Sequence, residues 1–199
     1  MDRITDIEIR GNITTAVFHT NDITEVNMLT RSIKSEIETY AIDIVIFQTN
    51  TSVRHDEVIA LRLGQLPIDH SKFFPPEEGN FRTHIDFKGP GEFNSNHIPG
   101  LSFKHVTPIV ELRPGQRIIC DVIVRKGQGK THVKWRPVST VIFNETEGGY
   151  KLTIKDTDML SGPEIIEMGL AKMSDAAHRP PITIFSYPLI PANLVPVNV

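Results

Sequence analysis

Between residues 22 and 40 the chain reads DITEVNMLTRSIKSEIETY. Ile23, Val26, Leu29, Ile33 and Ile37 recur at spacings of three and four, the period of one helical face. Asp22 followed by Glu25 forms a capping-box start with Asp in the Ser/Thr place. The stripe predicts one helix of about four turns, roughly 24 Å long. Each fully buried aliphatic on it contributes roughly 1.5–3 kcal/mol of transfer energy, so the ridge has to pack hard against something. The period then drops to two in AIDIVIFQ (41–48), the alternation of a strand. A helix that runs almost directly into a strand confines the chain to mixed helix-and-sheet architectures.

Elsewhere the same rules give a hairpin from RITDIEI (3–9) and ITTAVF (13–18) around a turn at Gly11-Asn12. Further strands are expected at 83–87, 101–106, 109–112, 117–125, 138–143 and 150–154, with turns at Arg113-Pro114-Gly115 and Gly127-Gln128-Gly129. Ser161-Gly162-Pro163-Glu164 is a helix start, with Ser as cap, Pro in the first turn and Glu three residues on. Ile165, Ile166, Leu170 and Met173 follow on one side. After residue 179 the chain is apolar but carries Pro180, Pro181, Pro188, Pro191 and Pro196. An extended tail is expected, laid on a surface or a partner to hide Ile182, Phe185 and Tyr187.

Residues 50–68, NTSVRHDEVIALRLGQLPI, predict a short helix. Ser52 or a neighbour caps it, and Asp56 and Glu57 sit in the first turn, where the helix dipole favours acids. Val58, Ile59, Leu61 and Leu63 form its apolar set, and Gly64 and Pro67 stop it. Helix-start chemistry or a subunit contact accounts for His55-Asp56-Glu57 without catalysis.

Composition closes several functions. A net charge of −3 lacks the positive excess of a protein that grips nucleic acid over a wide surface. The single cysteine, Cys120, excludes an internal disulfide and any cysteine-built metal site, and its strand context, RIICDVIV, makes it core filler. No apolar run approaches the roughly 20 residues that span a bilayer, and the expectation is a soluble, intracellular chain with no membrane role. No secretory leader is legible, so the sequons at Asn12, Asn50 and Asn144 carry no weight. GQGKT (127–131) lacks the first glycine of a phosphate-binding loop, which would fall at Val124, and reads as a hairpin tip with solvated Lys126 and Lys130. His84, His97 and His105 share a loop-rich region, yet no helical ligand pair or HExxH motif exists, and no metal or cofactor is expected. The basic segment Lys126, Lys130, His132, Lys134, Trp135 and Arg136 suits a protein contact better than a phosphate backbone.

Four stretches in order carry a resemblance. NTSVRHDEVIALRLGQLPI resembles the signature of the assembly (dimerisation) subunit of multisubunit RNA polymerases, a family that comprises an archaeal form, the third-largest eukaryotic subunit and the bacterial α amino-terminal domain. Asn27-Met28-Leu29-Thr30-Arg31, with Ser35-Glu36 and Ala41-Ile42-Asp43, is similar to that family's N-x-L-R-R helix and following strand. LRPGQRIICDVIVRKGQGKTHVKWRPVSTVIF (112–143) resembles its strand, glycine turn and K-W-x-P-V loop, and Ser161 to Ile165 its last helix start. Thr30 stands where the first arginine of the pair would be, Leu61 where a histidine precedes Arg62, and the insert lacks the metal-binding cysteines of many relatives.

The resemblance implies an α+β fold with a discontinuous dimerisation domain (1–40 and 150–175: hairpin, long helix and C-terminal helix), a mainly β insert domain (41–149) and an extended tail (176–199). It implies a non-catalytic scaffold subunit that performs no chemistry itself. A smaller α-like subunit would pair on Ile23, Val26, Leu29, Ile33, Ile37, Ile165, Ile166 and Leu170. The second-largest subunit would dock on Asn27, Arg31, His55, Asp56, Glu57, Arg62, Lys134 and Trp135. Small accessory polymerase subunits would be further partners, DNA would be met only indirectly, and the location would be the nucleus, or a viral factory or virion, since such economy resembles versions carried by large DNA viruses. The other readings of the residues are a basic-hairpin nucleic-acid module and a small enzyme using His55 and Asp56.

Overall fold

A computed structural model of the chain describes residues 3–73 and 80–177; the proline-rich tail expected from residue 180 lies outside the described residues. The fold is α+β. β1 (Ile4–Arg10) and β2 (Ile13–Phe18) form the expected hairpin, turning at Gly11, whose φ of +62° suits only a residue without Cβ strain. α1 (Ile23–Arg31) follows, capped by Asp22, whose carboxylate accepts from Thr24 N at 2.8 Å. The helix does not continue as regular α-helix to residue 38. Ser32–Glu36 widens into a π-helical turn, and β3 (Glu38–Asn50) starts after one intervening residue, Ile37.

β3 is longer than expected and pairs with β7 (Arg117–Gln128), which also pairs with β4 (Asn80–Lys88), giving the antiparallel order β3-β7-β4. α2 (Asp56–Gly64) lies on β3. β5 (Gly91–Asn94) and β6 (Pro108–Leu112) form a two-stranded ribbon. β5 escaped the sequence reading, and 101–106 is not a strand. β8 (Val138–Thr146) and β9 (Gly149–Asp156) complete a four-stranded sheet, β1-β2-β9-β8, and α3 (Gly162–Ala177) packs on it. Assigning 138–149 to the insert is therefore corrected: β8 hydrogen-bonds along β9, in the sheet of the N-terminal hairpin.

Two apolar cores result. One joins Ile42, Ile59, Leu63, Ile85, Phe93 and Val122 under α2 and the ribbon. The other joins Phe18, Val26, Leu29, Ile33, Ile37, Leu152, Ile165 and Ile166 between α1, α3 and the four-stranded sheet. Gly169 lets α3 approach the π-helical turn: a Cβ there would stand 2.6 Å from Ile33 Cγ1 and 3.3 Å from Leu29 Cδ1.

A polar seam stitches the cores together. The Trp135 indole is buried and donates from Nε1 to the Arg125 carbonyl at 3.1 Å, while Thr39 Oγ1 donates to the Trp135 carbonyl at 2.6 Å. The tip at 127–131 lies on the π-helical turn, where Lys130 N donates to Ser35 O at 3.2 Å. A Cβ on Gly129 would stand 2.1 Å from Lys34 O. The glycines of GQG thus serve close backbone approach. His70 closes the other side: Tyr40 N donates to its Nε2 at 3.1 Å, so the ring is neutral in the fold. Burial pushes the His70 pKa below its usual value, against the opposing pull of Asp69 and Glu164. A base with a depressed folded pKa gives stability that is present above its unfolded value near 6.5 and declines as pH falls below it. His70→Gln should therefore flatten the fall in melting temperature between about pH 6.5 and 5, the range just below the unfolded histidine pKa. An unchanged pH profile would exclude this role.

Candidate subunit-contact surfaces

Of the eight residues expected to face the smaller partner, six are interior. Val26, Leu29, Ile33, Ile37, Ile165 and Ile166 are at most 3% exposed and fill this chain's own core. The four-stranded sheet and the α1–α3 contact already cover the ridge, so these side chains hold the helices in place and cannot themselves be the contact surface. Ile23 (55% exposed) and the half-buried Leu170 remain outside. Leu170 lines a mainly apolar groove of about 430 Å³ between β1 and α3, with Ile4, Ile7, Pro163, Ile166 and Glu167. Ile7, Ile9 and Ile13 extend exposed apolar surface along the hairpin.

The eight residues expected to meet the second-largest partner fall into three groups. Asn27 and Arg31 are exposed on α1, over the four-stranded sheet. His55, Asp56, Glu57 and Arg62 are exposed on α2, over the other core. The α2 cap is His55, without a side-chain cap bond, whereas Ser52 serves the preceding turn by accepting from Arg54 N at 3.2 Å. Asp56 accepts from Asn50 Nδ2 at 2.6 Å. Ile59 and Leu63 of the expected apolar set are buried, but Leu61 points outward at 63% exposure. Trp135 and Lys134 are corrected from contact residues to seam residues. Burial removes the indole from any partner, and Lys134 pairs with Asp43 and lies 4.5 Å from the Trp135 ring. The tip lysines are solvated, as expected, but paired: Lys126 meets Glu38 at 2.7 Å and Lys130 meets Glu36 at 3.1 Å. That neutralisation removes the free positive stripe that a nucleic-acid module needs.

Two hollows beside α2 were not legible in the sequence as sites. One, of about 390 Å³, is lined by Val53, Arg54, Arg62, Val110, Glu111 and Arg113. The other, of about 310 Å³, is lined by residues 50 and 52–57 and shares Val53 and Arg54 with the first. Arg54 and Arg113 are about sixty residues apart and meet only because the ribbon folds back on α2, a juxtaposition with no local signal.

The histidines do not converge. His84 Nδ1 lies 2.8 Å from Asp121, His97 stacks on Phe87 with ring centres 4.6 Å apart, and His105 lies 3.7 Å from Asp158. Among the described residues no cluster of three metal-ligating side chains occurs, and no helix is long and apolar enough to cross a membrane. Asp121, held by Arg82, His84 and Gln48, has its pKa pulled down to about 2. Cys120 is buried, and burial pushes its thiol up to about 12. It should resist iodoacetamide at pH 8 in the native state and react only on unfolding. Rapid native alkylation would contradict that burial.

Fold and surface together describe an α+β chain whose polar groups serve its seams and outer faces. Comparison with known proteins gives that description a lineage. The chain is similar to DNA-directed RNA polymerase subunit Rpo3 of Thermococcus kodakarensis, 33% identical over 127 residues, covering 58% of this chain and 49% of the relative. The Rpo3 of Methanocaldococcus jannaschii is 29% identical over 155 residues, 76% of this chain and 80% of the relative. Subunit 3 of DNA-directed RNA polymerases II, IV and V of Arabidopsis thaliana is 32% identical over 160 residues, 61% of this chain and 50% of the relative. All three relatives are subunit 3, or Rpo3, of DNA-directed RNA polymerases, and it is to that family that the chain is similar. The match spans about half the length of the Thermococcus and Arabidopsis relatives. No family model matches the chain.

Proposed function

We propose that the chain is a non-catalytic assembly subunit of a DNA-directed RNA polymerase. It pairs with a smaller α-like subunit through the outer side of α1, α3 and the β1–β2 hairpin, and it meets the second-largest subunit through the α2 side. The observation that carries this reading is apolar surface left open after the chain has completed its own core: Ile23, Ile7 and the Leu170 groove, on the elements of a polymerase subunit 3 relative. Contiguous exposed apolar surface of this kind marks a protein contact. The internal ridge supports the pairing indirectly, because it fixes α1 against α3 and so fixes the shape offered outward.

Co-expression with the smaller α-like subunit of the same polymerase tests the proposal. A stable one-to-one pair is expected by size exclusion. Ile7→Glu with Ile23→Glu should break the pair while leaving the melting temperature of the single chain little changed, since both side chains are exposed. A wild-type chain that stays monomeric in the presence of that subunit overturns the reading.

A further inference from the structure

The hollow between α2 and β6 is lined by three arginines, Arg54, Arg62 and Arg113, and by one acidic residue, Glu111. Arginine elsewhere in the chain is commonly neutralised: Arg3, Arg10, Arg82, Arg117 and Arg125 all have acidic partners. The three at the hollow have none among the described residues. One of the side chains and the backbone that carries the other two are held in place. Arg62 Nη1 donates to the Ile109 carbonyl, which anchors one edge of its fork and leaves the rest free. Arg113 N donates to Gln116 Oε1 at 2.7 Å, closing the turn on which it sits. Arg54 is held by its carbonyl, which accepts from Asn50 Nδ2 at 2.8 Å. Guanidinium forks without an acidic partner match the two-oxygen geometry of carboxylates.

We infer that this hollow receives an acidic segment of a partner protein, with carboxylates on Arg54, Arg62 and Arg113 and an apolar side chain against Val53. Val53 (64% exposed) lines the hollow with the arginines, and arginine beside an exposed apolar group is the composition of a protein interface. The neighbouring hollow argues against a nucleic acid. Arg54 lines both, and the second brings Asp56 and Glu57 alongside. A backbone carrying one phosphate charge per about 1.7 Å would run onto those acids, whereas discrete carboxylates need not. Carboxylate capture is thus the chemistry of the α2 contact; the identity of the partner rests on the proposed assembly role.

The test uses the full chain with Arg54→Glu and Arg113→Glu together, leaving Arg62 and its bond to Ile109 intact, and the Arg54→Lys, Arg113→Lys pair as the conservative control. Co-expressed with the smaller and second-largest polymerase subunits, the charge-reversed chain should keep the smaller one. Its retention of the second-largest should drop roughly tenfold or more, and the lysine control should recover most of it. Equal retention by wild type and reversed chain overturns the inference. If the wild type holds neither subunit, the assembly reading fails, and the hollow is judged on the isolated chain with a labelled peptide of alternating leucine and glutamate. Binding weakened roughly tenfold by the reversal supports the inference. No binding, or equal binding, overturns it. Tighter binding of a single-stranded oligonucleotide, lost on reversal, overturns it in favour of nucleic acid.

Discussion

Trp135→Ala should lower the unfolding free energy by about 3–5 kcal/mol, the usual range for emptying a buried aromatic site. The indole fills the seam between the two cores, and its removal strips the Nε1–H bond to Arg125 and the ring from the space above Gly127. The void cannot close by a small shift, because Gly127 supplies no side chain. A Cβ there would stand 2.4 Å from the indole. Chemical denaturation checks the size of the effect, and calorimetry checks its form. With the seam weakened, the two cores should begin to melt separately, broadening a single transition into two. Trp135→Phe keeps most of the volume and should cost less, about 1–3 kcal/mol for the carbonyl left without its donor. An alanine variant with an unchanged midpoint would show that the seam contributes nothing to coupling.

Gly169→Val should be the second large effect. Glycine inside a helix is about 1 kcal/mol worse than alanine, so propensity alone favours replacing it. Packing opposes this, since the incoming Cβ meets Ile33 Cγ1 at 2.6 Å and both Ile33 and Leu29 are fully buried. Overpacking of this kind costs about 1–3 kcal/mol, and valine's second branch places the outcome at the upper end. Gly169→Ala brings the same Cβ without the branches, so its propensity gain of about 1 kcal/mol offsets part of the clash and it should cost less than valine. The valine variant should also lose the proposed pairing with a smaller subunit beyond its loss of stability, because it wedges α3 away from α1. A valine variant as stable as wild type would show that the helix contact is loose.

Much of this architecture is written in local pattern. ITTAVF is a strand over the very residues that alternate, and Ser161 receives the Glu164 carboxylate expected of a helix start, its amide donating at 2.8 Å. Asp56 and Glu57 lie in the first turn of α2, as their spacing implies. Periodicity shows which residues share a face but not what covers it. Val26, Leu29 and Ile33 look the same in sequence whether a partner or this chain's own sheet lies over them. The widening at Ser32–Glu36 is invisible for a related reason: a π-helical turn shifts the hydrogen-bond ladder while leaving Ile33 and Ile37 buried. Trp135 among lysines reads as a surface anchor because the acids that neutralise those lysines, Glu36, Glu38 and Asp43, lie some ninety residues earlier. The arginine hollow is hidden by the same distance in sequence. Its members come together through the β5–β6 ribbon, and β5 itself is too short to announce a period.

Ile37 alone separates the π-helical turn from β3, and it is fully buried. There is no hinge between the helix layer and the three-stranded sheet. The chain consequently behaves as a jig: the angle between whatever settles on α1 and α3 and whatever settles beside α2 is set before either arrives. In the proposed assembly role, the first protein to bind would leave the second docking face already oriented, and the entropic cost of aligning three bodies would fall on the folding of one.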